Sequence, residues 1–283
     1  MPQLIITADD YGMSNGVNRA IDAGMQAGII TSTNVMMNMP LCHEAKVLKN
    51  RFPNVSVGLH WTLSGAGGPV SSINQVPTLV NEQGHFFPYA EFRNRYRKGL
   101  IKNEEILIEL KNQFARFREL VGVPDYWNTH QNTHVDFGIY KLFVELAAEL
   151  HIPAMRSHQR IYVPASDPNN KLPLMWRLIE PFKSKLLDHW QSSAHKKGMK
   201  SPQGLVVTMT PKDMNHIDYV FRHIQWGKKR IGEFVIHPAV ENDSPFFGKI
   251  VDQRITEYKL FSDLRTKKEI EACGIELVNY QAL

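Results

Sequence analysis

A single α/β domain with a mainly parallel sheet or barrel is the fold class this chain predicts, and three observations predict it. Strand-like and helix-like stretches alternate along its length. Many strand candidates are near-continuous apolar runs of the kind buried on both faces. Five runs stop at a residue able to bind a metal, move a proton or hold an anion: Leu4 to Ala8 before Asp9 and Asp10, Val55 to Leu59 before His60, Tyr126 to Thr129 before His130, Ile152 to Met155 before Arg156, and Gly232 to Ile236 before His237. One such stop means little. Five, separated by segments long enough for helices, are expected when parallel strands converge their C-terminal ends on one active-site face.

Taken in order, strands are expected over 3–8, 31–37, 55–59, 126–129, 153–156, 205–208, 232–236 and 275–279. Helices are expected from Gly16 to Ala27, Glu104 to Val121, Phe137 to Leu150, Met214 to Trp226 and Thr256 to Cys273. Tyr11-Gly12 supplies a sharp turn after the first strand, and Ser14-Asn15-Gly16 looks like a helix start. Gly28, Gly122 and Gly274 stand where helices should stop, and Thr210-Pro211-Lys212-Asp213 offers a cap with proline just inside. Residues 65–100 and 157–204 are long, mixed in polarity and rich in Pro, Gly, Lys and Arg, so they read as insertions near the strand ends that shape substrate access. No internal repeat or low-complexity tract interrupts the alternation.

The 283 residues fit one α/β barrel with insertions, so residues 1–283 are expected to form a single domain. The hydrophobic content of 43% is ordinary for a globular protein, and no apolar run approaches the roughly 20 residues of a membrane span. A soluble protein with no membrane partner follows. The start, Met-Pro-Gln and then strand-like residues, lacks the basic and apolar regions of a secretory signal, and Cys42 and Cys273 stand isolated. Both features point to a reducing cytoplasm, and a homodimer is compatible with everything above. The net charge of +5 and the pI near 9.1 arise largely from local clusters such as Arg93 to Lys98 and Lys228 to Arg230. No nucleic-acid module accompanies them, so solvated faces are expected and nucleic acid is set aside.

The strand ends carry the chemistry. Adjacent side chains in a strand point to opposite faces, so Asp9 and Asp10 can act together only if the chain turns sharply there. With such a turn one carboxylate can bind a cation while the other takes a proton from water. A solvated turn or helix cap is the plainer reading. His60 is an imidazole within an otherwise apolar strand end, and a hydrogen-bonded core histidine competes with a ligand there. His130 and His134 would share a face on a helix, but the polar, β-branched filling between them favours a loop, and only one need bind metal. One Asp and two His from three strand ends, with water completing the sphere, form a recurring catalytic arrangement.

Together the motifs Thr7-Ala8-Asp9-Asp10-Tyr11-Gly12-Met13-Ser14, Gly28-Ile29-Ile30-Thr31-Ser32-Thr33, Val57-Gly58-Leu59-His60-Trp61-Thr62-Leu63, Thr129-His130-Gln131-Asn132-Thr133-His134 and Ile236-His237-Pro238 closely resemble the YdjC-like family of carbohydrate deacetylases. The resemblance runs in order through nearly the whole chain and is weakest over 157–204. It implies a distorted (β/α) barrel related to polysaccharide deacetylases, and hydrolysis of an N-acetyl amide on a sugar or short chito-oligosaccharide. It also implies one divalent metal, zinc or magnesium, held by Asp10, His60 and His130. By the same resemblance Asp9 is the general base and His237 the acid that protonates the departing amine. Arg156 matches a position near the site, where it would steady Asp9 or hold substrate, with a structural ion pair as the other reading. Trp61, Phe86, Phe87 and Trp176 are candidates to stack on sugar rings, and His134 to contact substrate. The chain departs from the family at Asn128, where aspartate is usual, and at Asn132, where histidine is usual. An amide beside a ligand histidine should weaken metal binding or change the metal. A carbohydrate-binding or regulatory protein with weakened catalysis is therefore the alternative.

Overall fold

The computed structural model describes the chain apart from residues 137, 168–173 and 209–215, and apart from the side chains of 174–181 and 183. Strand β1 (Gln3–Tyr11), helix α1 (Asn15–Gln26) and β2 (Ser32–Val35) come first. A 3-10 turn over Cys42–Val47 and α2 (Leu48–Arg51) return the chain to β3 (Ser56–Trp61). Next come α3 (Tyr89–Arg97), α4 (Asn103–Leu120), β4 (Trp127–Thr129), a split 3-10 segment over His130–Val135 and α5 (Tyr140–Glu149). The second half holds β5 (Arg160–Val163), α6 (Leu174–Lys196), β6 (Gly204–Thr208), α7 (Ile217–Arg222) and β7 (Ile231–Ile236). It closes with α8 (Val251–Phe261), α9 (Leu264–Ala272) and β8 (Glu276–Leu277).

The paired strands are parallel and follow the order β4-β3-β2-β1-β7-β6-β5, with β8 beside β1. The sheet curls until its edges meet. Met155 bridges Trp127 of β4 and Ala154 bridges Lys200, and the same stretch of chain runs on into β5, which pairs with β6. The result is a (β/α) barrel-like fold, as the alternation of apolar runs and helical stretches predicts. β1 lies at its centre, between β7 and β2, and Leu4, Ile5 and Ile6 are fully buried. β8 pairs with Gln3 and Leu4, whereas β2 pairs from Thr7 onward, so β8 fills the N-terminal end of the barrel.

The structure departs from the sequence expectations at several elements. The strand expected over 153–156 is reduced to the two single bridges that close the curl. Residues 157–204, expected as an insertion, contain β5 and α6, a strand and a helix of the barrel itself. β5 escapes the apolar-run criterion because only Ile161 and Val163 of its four residues are buried, with Arg160 and Tyr162 half-buried between them. The single helix expected from Thr256 breaks at Asp263, whose carboxylate accepts the Arg265 amide and starts α9. Of the helix expected from Met214, α7 covers Ile217–Arg222, while the Thr210 to Asp213 cap lies outside the described residues, as does Phe137.

Residues 65–100 do form an elaboration, pinned by α4. Glu109 accepts the amides of Val70 and Ser71, Glu105 accepts the amide and hydroxyl of Thr78, and Gln113 bonds both backbone groups of Thr62 just beyond β3. These buried acceptors satisfy loop amides that would otherwise lack partners. They fix the wall beside the C-terminal end of β3.

Candidate metal centre

The pairing of β1 with β2 runs Thr7↔Ser32 and Ala8↔Thr33 and then skips to Tyr11↔Val35, so β1 carries one extra residue. The bulge is absorbed at Asp10, whose φ of 75° lies in the left-handed region. A non-glycine residue held there costs about 1–3 kcal/mol, which the flanking pairing sustains. The consequence is that Asp9 and Asp10 face one cavity, where a regular strand would separate them. The reversal expected at Tyr11-Gly12 is thus made in two steps: Tyr11 stays in the strand, and Gly12 turns at φ 97°, where a Cβ would come within 3.0 Å of the Cys42 backbone.

Asp10 and Asp9 head two linked networks. Asp10 Oδ1 lies 3.3 Å from His60 Nε2 and 3.1 Å from His130 Nδ1, and Oδ2 accepts from Arg254 Nη2 at 2.5 Å. Asp9 takes both arms of the Arg156 guanidinium at 2.8 and 2.6 Å and the Asn34 amide at 2.5 Å, and its Oδ2 lies 3.8 Å from His237 Nε2. Arg156 Nε in turn donates to Glu233 Oε1 at 3.2 Å. Burial alone would raise both aspartates. Arg156 more than reverses this at Asp9, and Arg254 and His130 do so at Asp10, so both stay ionised well below the usual carboxylate range. The His237 ring keeps 31% of its surface open. Loss of water around the rest pushes it below the ordinary histidine value, against the pull of Asp10 and Asp9.

The cavity over these groups has a volume of about 580 Å³, and Asp9, Asp10, His60, His130, Arg156 and His237 all line it. Other expected site residues do not. Trp61, the last residue of β3, is fully buried, its indole donating to Leu110 O and packing on Trp127 and Phe143. His134 is buried as well: left-handed Gln131 and Asn132 break the segment after His130, so the two histidines do not share a helical face. Its Nδ1 meets Thr129 Oγ1 at 2.6 Å, and its ring stands edge-on to Trp127. Phe86 and Phe87 are core residues of the 65–100 elaboration, and the Trp176 side chain lies outside the described residues. A wider groove of about 850 Å³ opens beside Thr31 and Val55 at the opposite end of the strands, with no histidine in its lining.

Sequence reasoning missed Arg254, Glu233, Glu257 and Asn34. Glu233 left a signal, a carboxylate inside the apolar run of β7. Arg254 and Glu257 left none, because on α8 they look like any charged helical face, yet both are buried against the site. Glu257 accepts the His237 amide at 2.5 Å and the Gln253 side chain at 2.7 Å. Burial raises its carboxyl to about 7 from 4.5. A raised folded value means stability that is full below the unfolded value and lost as the pH rises through about 7. Metal-free Glu257→Gln should therefore match or trail the parent at pH 5 and gain on it by up to roughly 3 kcal/mol at pH 8. Denaturant unfolding at the two pH values measures this, and a pH-independent difference would contradict it.

The donor set suits a divalent metal. One ligand atom each from Asp10, His60 and His130 lies within 4.8 Å of the others, and all three residues are buried. Two imidazole nitrogens and one carboxylate oxygen, with a cavity left for further ligands, are donors that a divalent cation accepts. Arg254 holds the Asp10 oxygen that faces away from the histidines, which leaves Oδ1 as the oxygen turned toward both of them.

Residues 3–272 match the family model described as YdjC-like protein. A carbohydrate deacetylase of Clostridium beijerinckii is 36% identical over 151 residues, which are 53% of this chain and 58% of that protein. A chitooligosaccharide deacetylase of Serratia marcescens is 34% identical over 53% of this chain and 57% of its own. The aligned stretch thus spans less than two thirds of these relatives. A carbohydrate deacetylase of Thermoanaerobacter pseudethanolicus aligns further, 27% identical over 78% of this chain and 82% of its own. A solved structure from Enterococcus faecalis, provisionally described as a cellobiose-phosphate cleavage protein, superposes with a TM-score of 0.73 at 22% identity, covering 99% of this chain and 98% of that one. That likeness establishes the fold.

Proposed function

The chain belongs to the YdjC-like family, and from that premise we propose that it is a metal-dependent hydrolase removing the acetyl group from an N-acetylated sugar or short oligosaccharide. The observation that carries the reading is the bulge at Asp10. It sets one carboxylate beside two histidines and leaves its neighbour free of them, under a cavity large enough for a sugar residue. Asp10, His60 and His130 would hold the metal. Zinc suits these donors best, and magnesium or manganese would suit a version with more water. A bound divalent cation would acidify the attacking water and polarise the acetyl carbonyl.

The remaining chemistry belongs to the side chains. Asp9 accepts the proton of the attacking water as the water oxygen bonds to the carbonyl carbon. Arg156 and Asn34 orient Asp9 for this, and Arg156 makes it a weak base that gives the proton up readily. His237, 3.8 Å away and favoured in its neutral form, takes that proton and delivers it to the nitrogen as the C–N bond breaks, releasing acetate and the free amine. His237 keeps the general-acid role expected of it, loaded in this reading by a proton relayed from Asp9. Phe246 and Gln253, which line the cavity, are placed to meet the sugar.

Release of acetate from N-acetylated sugars, abolished by a chelator and restored by metal, is the direct test. His60→Ala and His130→Ala should each lose most bound metal and keep the fold, and unchanged metal content in both would remove the assignment. Metal and sugar binding without acetate release would favour the weakened carbohydrate-binding alternative, whose structural support is Asn128. For His237, alanine should reduce turnover of an N-acetyl sugar far more than of an aryl acetate, whose leaving group needs less protonation. Equal losses would assign His237 to substrate positioning.

A further inference from the structure

The Asn128 side chain lies between His60 and Arg156. One end of its amide is 2.6 Å from His60 Nδ1, and the other end is 2.8 and 2.9 Å from the two Arg156 Nη atoms and 3.0 Å from Asn34 Nδ2. Guanidinium and Asn34 amide nitrogens can only donate, so the end facing them must be the carbonyl oxygen. The NH2 then points at His60 Nδ1, which has to accept, and a neutral imidazole that accepts at Nδ1 carries its proton on Nε2. Nε2 lies 3.3 Å from Asp10 Oδ1, on the side of the metal-ligand cluster.

We propose that Asn128 holds His60 in the tautomer opposed to metal binding, and so sets the metal affinity of this chain. The inference rests on the metal-centre reading above. Ligation through Nε2 needs a bare Nε2, with the proton moved to Nδ1. Asn128 would then have to present its oxygen to His60 and turn its NH2 against the Arg156 donors. Asn34 offers no relief, because turning its own amide to receive Asn128 would set its oxygen against Asp9 Oδ1, now 2.5 Å from its nitrogen. Arg156 cannot withdraw without releasing Asp9 and Glu233. A carboxylate at 128 has no such conflict, since it accepts from His60 Nδ1–H and from Arg156 at once.

The test combines one spectrum with one titration. Long-range proton–nitrogen NMR on the metal-free parent should show His60 as the Nε2–H tautomer, and metal-free Asn128→Asp should show the Nδ1–H form. The parent in the Nδ1–H form would overturn the proposal, and that reading needs no variant to fold. In calorimetric titrations with zinc, Asn128→Asp should bind roughly 10–100-fold more tightly than the parent. Equal zinc affinity in the two proteins would end this inference and leave the metal centre standing. No zinc bound by either would end the metal-centre reading and the inference with it.

Discussion

Asp9→Asn is expected to retain its metal and substrate affinity and to lower turnover by roughly 10²–10⁴, the range of a general acid–base group. The two carboxylates are neighbours in sequence, but the bulge gives them separate partners. Asp10 faces the histidines and Arg254, whereas Asp9 faces Arg156, Asn34 and His237. An amide at position 9 keeps one acceptor for Arg156 and cannot take a proton. Metal content and kcat measured on the same preparation decide the matter. Metal lost from Asp9→Asn and kept by Asp10→Asn would reverse the two assignments.

Arg156→Met should destabilise the metal-free protein by about 3–5 kcal/mol, the cost of leaving buried charge unpaired. Its guanidinium is the cation between Asp9 and Glu233, and all three groups are almost wholly buried. Adding Glu233→Gln should recover part of the loss, while Arg156→Lys should recover little, because an ammonium cannot span both Asp9 oxygens and reach Glu233. The acid side carries a signature. Asp9 is held below its unfolded value, so the contribution of the pair is present above the unfolded pKa of about 3.9 and is lost as the pH falls. Arg156→Met should flatten that limb. Denaturant unfolding gives both numbers, and a loss under 1 kcal/mol would show that the three groups are not coupled as their distances imply.

The amino-acid sequence by itself determined most of the alternation of strands and helices, and the residue types that stand at or near the strand ends. These are legible because apolar runs and helix punctuation are local, and because the Asp-Asp pair, His60, His130 and His237 each end a run of their own. The split of the last helical stretch and the short β5 were less legible, since a capping aspartate and a half-exposed strand resemble loop in composition. What tertiary structure alone decided was direction and burial. The register with β2 put the extra residue of β1 at Asp10, and left-handed Gln131 and Asn132 parted His130 from His134. The closing of the barrel brought Arg254 to Asp10, 244 residues away, and Arg156 to Asp9, 147 away. A charged residue on a helix reads as solvated until the rest of the fold covers it, because its partner is set by packing between distant segments and leaves no mark in its own neighbourhood.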